Sequence, residues 1–357
     1  MARTYLDYNA TAPLRPEARE AMIAAMDVVG NPSSVHSEGR KAKHVVETAR
    51  RQVAAAVGCQ PQEVVFTSGA TEAARFLAHP KAGCDVLVQD TAHDALWAHN
   101  RMENWPEGGT GHTLAMGLAN SETGIITEPP AKVGDTWPVG EAHADWLLLD
   151  VTQAVGRIPF AFSWSGADFA VMSAHKLGGP KGVGALIVRQ GVDIDALQSG
   201  GGQEMGRRSG TENIIGIAGF GAAAEAAARD LDAGRWDEVA QFRNILEKRL
   251  SESTKETIFV GKDANRLPNT SCFITPGWKG ETQVMVMDLA GFAVSAGSAC
   301  SSGKVKASRV LQAMGYDEGQ SASALRVSLG PDTTESEVMA FCDAWLREHE
   351  KFRARGR

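Results

Sequence analysis

Short apolar runs alternate with longer amphipathic stretches through the middle of the chain. The runs are apolar on both faces, which is typical of parallel strands that helices cover on both sides. They occupy residues 63–69, 85–90, 146–150, 169–176 and 182–188. Two Ala-rich stretches, 37–57 (with Gly58 as a C-cap) and 213–248, have the composition of helices. The alternation predicts an α/β domain with a mostly parallel sheet.

The pattern changes in the last third of the chain. Strand-like segments at 270–276 and 292–297 are interspersed with helical patterns at 281–291 and 333–352. Thr334, with Glu337 three residues later, has the spacing of a capping box. We therefore expect a large α/β domain over residues 15–255, and a smaller α+β domain formed by residues 1–14 and 256–357.

Two stretches lack regular periodicity. Residues 100–119 and 129–140 are rich in Gly and Pro, and no run of strand-forming residues stands out in either. Both are predicted to be surface connections.

Composition and charge limit the functional classes. The chain has 357 residues, of which 43% are hydrophobic and 22% charged, as in an ordinary globular protein of about two domains. Its net charge of −7 argues against nucleic acid or an anionic membrane as the main partner. Neither a spanning apolar segment nor a secretory signal is visible. The five cysteines include no CxxC pair, so we expect a reduced, cytoplasmic protein without a metal site.

The first candidate site is the sequence FTSGATEAA at 66–74. A strand ends, a Ser-Gly turn follows, and a helix begins near Thr71. This geometry directs backbone N–H groups and the positive end of a helix toward one point, which suits a phosphate. The Thr71 hydroxyl adds a donor. A capped helix without a ligand is the alternative.

The second candidate is Asp150, which ends the apolar run 147–150. Ligands of parallel α/β sheets gather at the carboxyl ends of the strands. A carboxylate is costly there unless it is paired, and a cationic ring nitrogen would pair it. The alternative is an N-cap for the following helix.

The third candidate is Lys176, which follows the next apolar run. That position places its amine in the same crevice as Asp150. A desolvated amine near other cations has a lowered pKa and forms a Schiff base with a carbonyl. Ser173 and His175 flank it with further donors. A surface role for Lys176 is the alternative, and Lys181 competes with it, although the preceding Gly-Pro indicates a turn.

The three candidates together match one cofactor. Pyridoxal phosphate needs a lysine that binds its aldehyde, a carboxylate that faces its pyridine nitrogen, and a cradle for its phosphate. The carboxylate keeps the ring nitrogen protonated, so that the ring withdraws electrons from a substrate carbanion.

Cys300 lies in a segment of small residues, 295–308, which is poor material for a core. We interpret it as a reactive thiol, whose activation requires a nearby cation or base. The other cysteines are predicted to be small buried apolar residues. They are Cys59, Cys84, Cys272 and Cys342.

Ordered motifs along nearly the whole chain resemble those of the cysteine desulfurases, within the class V aminotransferase group of pyridoxal phosphate enzymes (fold type I). The motifs are YLDYNATAP (5–13), GNPSSVH (30–36), FTSGATE (66–72), Ala-His (92–93), ANSETG (119–124), DVTQAVG (150–156), SAHKLGGPKGVGAL (173–186), GGGQEMGRRSGTEN (200–213), SAGSACSSG (295–303) and LRVSLG (325–330). The Ser-Cys segment is the part specific to desulfurases.

The resemblance implies a role for each matching residue. Cofactor contacts are implied for Ala70, Thr71, His93, Ser121, Asp150, Gln153, Ser173, His175, Lys176 and Thr211. Lys176 is then the Schiff-base lysine, Asp150 faces the pyridine nitrogen, and Gln153 contacts the phenolic oxygen of the ring. His93 stacks on the ring and relays protons, and Thr211 reaches the phosphate in the other subunit of a homodimer.

The same resemblance implies the substrate and the reaction. Arg326 binds the carboxylate of L-cysteine, and Asn31 helps to shape that site. Cys300 takes the sulfur as a persulfide and L-alanine is released. A sulfur-acceptor protein then receives the sulfur for iron–sulfur cluster or thio-cofactor biosynthesis.

The chain departs from the family pattern at two places. Ser121 stands where the family usually has a second Asn, and the stretch between His93 and Ser121 is shorter than usual. The alternatives therefore are another reaction of the same scaffold (transamination, selenocysteine lysis or cyclic-imine chemistry) and a degenerate, non-catalytic homologue.

Overall fold

The computed structural model describes residues 3–78, 85–101, 111–297 and 307–355. Its strands are β1 (Thr4–Tyr5), β2 (Val64–Thr67), β3 (Val86–Val88), β4 (Thr113–Gly117), β5 (Trp137–Val139), β6 (Ala142–Ala144), β7 (Trp146–Asp150), β8 (Phe169–Ser173), β9 (Gly184–Val188), β10 (Ile258–Phe259), β11 (Thr270–Ile274), β12 (Phe292–Ala293), β13 (Ser295–Ala296) and β14 (Ala324–Ser328).

Its helices are α1 (Pro16–Met26), α2 (Ser37–Val57), α3 (Ala70–Ala74), α4 (Asp94–Trp97), α5 (Phe162–Ser165), α6 (Ile214–Asp232), α7 (Arg235–Ser253), α8 (Gly280–Leu289), α9 (Arg309–Ala313), α10 (Glu318–Ser321) and α11 (Glu335–Arg355). Short 3₁₀ turns include Ala174–Lys176 and Glu204–Gly206. Within the described residues, no helix combines the length and apolar character that crossing a membrane requires.

The chain forms two compact units. One, here called the sheet unit, comprises Pro13–Leu118 and Thr127–Leu231. The other, the terminal unit, comprises Met1–Ala12, Ala119–Ile126 and Asp232–Arg357.

The sheet unit contains a six-stranded sheet in the order β2-β9-β8-β7-β4-β3. Strands β3, β4, β7 and β8 pair in parallel, which the doubly apolar runs predict for β3, β7 and β8. Strand β9 is the exception, because it runs antiparallel to both of its neighbours, β2 and β8. All five residues of β8 and of β9 are buried, so burial cannot reveal this change of direction in the sequence.

The predicted surface connection at 100–119 is wrong in its second half. Residues Thr113–Gly117 form β4, a central strand between β3 and β7. The stretch 129–140 is likewise misjudged at its end, where β5 pairs with β6 and Trp137 is buried. In both places, Gly and Pro residues close to a short strand led to the prediction of a surface connection.

The terminal unit is built on an antiparallel sheet in the order β10-β11-β14-β13. Strand β1 pairs in parallel with β12, so the first residues of the chain belong to this unit. Helix α11 begins with the predicted capping box: the Glu337 N–H donates to Thr334 Oγ1, and the Thr334 N–H donates to a carboxylate oxygen of Glu337.

The compact units differ from the predicted domain limits at residues 13–14, 119–126 and 232–255. Helix α7 belongs to the terminal unit, where it packs against α11 and its Glu247 makes a bidentate ion pair with Arg266. Segment 119–126 belongs there as well, because its backbone is hydrogen-bonded to Asn265 and Leu267. These contacts join residues distant in sequence, which composition does not indicate.

Replacing Phe76, whose ring packs against that of Phe169, tests the core of the sheet unit. Both rings are buried, and their centroids lie 4.4 Å apart within one apolar cluster. We expect Phe76→Ala to lower the free energy of unfolding by about 3 to 5 kcal/mol, measured by urea denaturation. Trp164→Ala is the control, because Trp164 is 90% exposed. Equal losses in the two variants would contradict this account of the core.

Candidate active site

The register of the sheet brings the predicted cofactor residues to one edge. Gly184 at the start of β9 lies opposite both Thr67, the last residue of β2, and Ser173, the last residue of β8. On the other side of β8, Val171 pairs with Asp150 at the end of β7. Neighbouring strands lie about 4.8 Å apart. The predicted phosphate turn after β2, the Asp150 carboxylate at the end of β7 and the lysine turn after β8 therefore lie at the same end of the sheet.

Gly184 allows the phosphate turn to lie directly against β8. A Cβ atom at this position would lie 2.5 Å from the Met172 carbonyl oxygen and 2.6 Å from Gly69 Cα, so only glycine fits. A Cβ atom on Gly69 would in turn lie 3.8 Å from Ser173 Oγ. The start of α3, at Ala70 and Thr71, thus lies near the Ser173 hydroxyl, and this donor set fits a phosphate monoester.

Asp150 ends β7 and is half-buried. Its Oδ1 accepts a hydrogen bond from the Thr152 N–H at 3.0 Å and so caps the turn that follows, although this turn does not open the helix that the alternative interpretation expected. A carboxylate has two oxygens and accepts more than one hydrogen bond. The capping role and a contact with a cationic ring nitrogen are therefore compatible.

Lys176 lies in the 3₁₀ turn after β8 and is half-buried. The Lys176 carbonyl accepts a hydrogen bond from Arg157 Nη2 at 2.9 Å. Arg157 Nη1 also donates to Gln153 Oε1 at 2.6 Å. A buried arginine thus contacts two of the predicted cofactor residues. Arg157 was not among the predicted residues, although a basic residue four positions after Gln153 was a usable signal.

Two histidines of the sheet unit, His93 and His175, have different surroundings. His93 precedes α4, and its Nδ1 accepts a hydrogen bond from the Ala95 N–H at 3.1 Å, which leaves the ring proton for Nε2. Burial lowers the pKa of His175 to about 4, assisted by the positive charges of Lys176 and Lys181. A neutral imidazole has one N–H donor, so His175 can donate one hydrogen bond to a bound phosphate.

Two ion pairs fix the segment that contains Thr211. Arg50 makes a bidentate pair with Glu204, with both N–O distances at 2.8 Å. Burial alone would lower the pKa of Arg50, but its hydrogen bonds with Glu204 and the charge of that carboxylate raise it. Arg208 pairs with Glu72 of α3 at 2.9 Å. Thr211 itself is exposed. Neither ion pair was predicted, because the two members of each pair are distant from one another in the chain.

Glu72 links this segment to the phosphate turn. Besides its pair with Arg208, its carboxylate accepts a hydrogen bond from the Ser68 N–H at 2.7 Å. Burial acts to raise the pKa of Glu72, but the hydrogen bonds from Arg208 and Ser68 outweigh it and the pKa lies below its usual value. The turn is therefore braced by an ionised carboxylate.

The terminal unit contains the predicted carboxylate-binding arginine. Arg326 on β14 is buried; its Nη2 pairs with Asp7 at 2.8 Å, and its Nη1 donates to the Ser121 carbonyl at 3.0 Å. The other Asp7 oxygen accepts from Ser295 Oγ at 2.7 Å. Arg326 Nε is buried without a hydrogen-bond partner among the described residues. A buried donor of this kind suits an anionic ligand. Asp7 was not among the predicted residues.

Ser121, the departure from the family pattern, lies in a well-supported turn. The Asn120 side-chain oxygen accepts hydrogen bonds from the N–H groups of Glu122 and Thr123. The Ser121 carbonyl accepts from Asn9 Nδ2 at 3.1 Å as well as from Arg326. The backbone at this position is therefore held by groups that do not depend on the Ser121 side chain.

The remaining predicted residues have simpler surroundings. Asn31 is exposed and its side-chain oxygen accepts from the Ser33 N–H at 2.9 Å. Cys300 and Cys84 lie outside the described residues. Cys272 and Cys342 are buried as predicted, whereas Cys59, which follows α2 and its C-cap Gly58, is only half-buried. Burial raises the pKa of all three described thiols to about 12, so none of them is a thiolate at pH 7.

The chain has detectable relatives along nearly its whole length. The family model for class-V aminotransferases matches residues 4–104 and 111–341. A cysteine desulfurase from Frankia sp. (strain EuIK1) is 38% identical, over 96% of this chain and 90% of the relative. A cysteine desulfurase from Cereibacter sphaeroides is 36% identical, over 95% of this chain and 93% of the relative.

Solved structures agree with this relationship. A NifS-like protein from Rickettsia africae ESF-5 superposes with a TM-score of 0.84 at 28% identity, covering 98% of this chain and 99% of the other. Its similarity extends over both units, as the sequence match does. The chain therefore belongs to the class-V aminotransferase family.

Proposed function

We propose that the chain is a pyridoxal phosphate-dependent cysteine desulfurase, which converts L-cysteine to L-alanine and transfers the sulfur to Cys300. The observation that supports this most directly is the register of β2, β9, β8 and β7, which places the phosphate turn, Asp150 and the Lys176 turn at one sheet edge. The relatives from Frankia and Cereibacter, both named cysteine desulfurases, support the choice of reaction within the family.

The residues of the sheet unit fit the cofactor in chemistry and order. When bound, pyridoxal phosphate supplies an aldehyde for amino groups and a ring that withdraws electrons from the substrate α-carbon. Ala70, Thr71, Ser173 and His175 would hold its phosphate, together with Thr211 of a second subunit. Asp150 would hold a proton at the ring nitrogen. Gln153 would contact the phenolic oxygen, and His93 would lie against the ring.

Lys176 and Cys300 would perform the chemistry of the chain itself. Lys176, assisted by His93, moves a proton at the substrate α-carbon. The Cys300 thiolate attacks the substrate sulfur, so that an S–S bond forms and the C–S bond breaks. The electron pair of the broken bond stays with the carbon skeleton, which takes up a proton to become alanine. Cys300 is left as a persulfide.

Arg326 is the proposed partner of the substrate carboxylate. Its guanidinium presents donors in a planar fork that matches a carboxylate, and its buried Nε has no partner among the described residues. Asp7 and the Ser121 carbonyl hold the other two nitrogens and keep the group in one orientation. Asn31 would contribute to the same substrate site.

A homodimer and a sulfur-acceptor protein complete the proposal. Apolar side chains at Ile23, Met26, Val29 and Val35 are exposed along one stretch of the sheet unit, as at a protein–protein interface. A second copy of the chain is the proposed occupant, and the exposed Thr211 then reaches the cofactor of its partner. We also propose a cytoplasmic location, because the described cysteines are free thiols.

Replacing Lys176 tests the cofactor site. We expect Lys176→Ala to abolish the visible absorption band of the bound cofactor and to lower kcat by more than about 100-fold. The matched control is Lys181→Ala, because Lys181 follows in the same segment and is exposed. An unchanged band in Lys176→Ala, or its loss in Lys181→Ala, would show that the wrong lysine has been assigned.

Replacing Cys300 tests the reaction. The assay supplies L-cysteine and an added thiol, which reduces a persulfide and releases its outer sulfur as sulfide. Cys300→Ala should retain the visible band but release no sulfide and no alanine, because no thiolate accepts the sulfur. Cys59→Ala, which removes the half-buried thiol among the described cysteines, should retain both products. Sulfide and alanine from Cys300→Ala at the wild-type rate would show that Cys300 does not take the sulfur. A wild-type protein that binds the cofactor but forms neither product would favour one of the alternative reactions of this scaffold.

A further inference from the structure

Arg157 is a buried cation between two residues of the proposed cofactor site. It lies in the turn after β7 and is 4% exposed. Its Nη1 donates to Gln153 Oε1 at 2.6 Å, and its Nη2 donates to the Lys176 carbonyl at 2.9 Å. Gln153 is also 4% exposed. One rigid guanidinium thus links the turn after β7 to the turn after β8.

The contact with Arg157 determines which way the Gln153 amide faces. A glutamine amide has one oxygen acceptor and one nitrogen donor of nearly equal size, so it can be turned over at little steric cost. A guanidinium only donates hydrogen bonds. Oε1 must therefore face Arg157, and Nε2 lies on the opposite branch of the amide.

We propose that Arg157 is a positioning residue, which orients the Gln153 amide so that its nitrogen donates to the phenolic oxygen of the bound cofactor. This inference rests on the proposed function. The second bond, to the Lys176 carbonyl, holds the lysine turn in register with that amide. Arg157 itself contacts neither the substrate nor the reacting atoms in this assignment.

The orientation has a spectroscopic consequence. A donor on the phenolic oxygen stabilises its negative charge, and that charge is greatest once the nitrogen bound to the aldehyde carbon has lost its proton. The pH midpoint of the visible band is therefore lower with the donor than without it. The other ionisable side chains on these strands and turns are Asp150, His175, Lys176 and Lys181, and His175 is neutral in this range.

The test is a double-mutant cycle on the cofactor-loaded protein. The pH midpoint of the visible band is measured in wild type, Arg157→Met, Gln153→Ala and the double variant. We expect Arg157→Met to raise the midpoint by about one pH unit, the size expected for loss of a hydrogen bond to a charged acceptor. In the Gln153→Ala background, Arg157→Met should cause no further shift.

Two results would overturn the proposal. No shift in Arg157→Met would show that Arg157 does not orient the amide, and equal shifts in both backgrounds would show that it acts through its charge alone. If Arg157→Met does not fold, Arg157→Lys replaces it in the cycle, because lysine keeps the charge but lacks the forked donors. With Arg157→Lys, no shift would again overturn the proposal, and equal shifts in both backgrounds would overturn it by showing that the effect does not pass through Gln153.

A matched arginine controls for structural damage. Arg189 also lies in the sheet unit, where it donates to the carbonyl oxygens of Ala167 and Phe162. Arg189→Met should leave the midpoint unchanged, and a shift equal to that of Arg157→Met would overturn the proposal. A wild-type protein without any visible band would contradict the proposed function itself. A normal band with additive shifts would leave the proposed function intact and remove only this inference.

Discussion

The pairing of β7, β8, β9 and β2 is the constraint on which the candidate site depends. Asp150 is opposite Val171, and Gly184 is opposite both Ser173 and Thr67. A slip of one residue in any of these pairs would turn the terminal side chain to the other face of the sheet. The absence of a side chain at Gly184 is part of the same constraint, because a Cβ atom there would force the phosphate turn away from β8.

Buried arginines hold loops in place within each of the two units. Arg50 and Arg157 each bind a residue of a distant turn, through Glu204 and through the Lys176 carbonyl. In the terminal unit, Arg326 has Asp7 and the Ser121 carbonyl as partners. Paired guanidinium groups are rigid and always charged, so they fix loop geometry more firmly than neutral hydrogen bonds. The loops thereby gain the order that catalytic geometry requires.

Local patterns predicted the parts of the fold that are determined locally. Helix α2 begins and ends where its composition and Gly58 indicate, and Thr334 caps α11 through Glu337. The same reasoning missed β4, because its five residues are preceded by a Gly- and Pro-rich stretch. The direction of β9 was equally inaccessible, since a strand buried on both faces has the same composition in either direction.

The candidate site also contains residues that local sequence patterns predicted and residues that they did not. Strand ends followed by Gly, Asp or Lys indicated the phosphate turn, Asp150 and Lys176, because in a parallel sheet these positions share one edge. The supporting residues Asp7, Glu72 and Arg157 were missed, because their roles depend on hydrogen bonds between residues brought together by folding. Asp7 and Glu72 carry no sequence signal for these contacts, whereas Arg157 lies four residues after Gln153, and that spacing was a usable signal.

A crystal structure of the protein grown with pyridoxal phosphate tests the central claim most directly. The account predicts a covalent link between the aldehyde carbon and Lys176 Nζ, with the pyridine nitrogen within hydrogen-bond distance of the Asp150 carboxylate. A cofactor bound elsewhere, or linked to another lysine with Asp150 facing away from its ring, would contradict it.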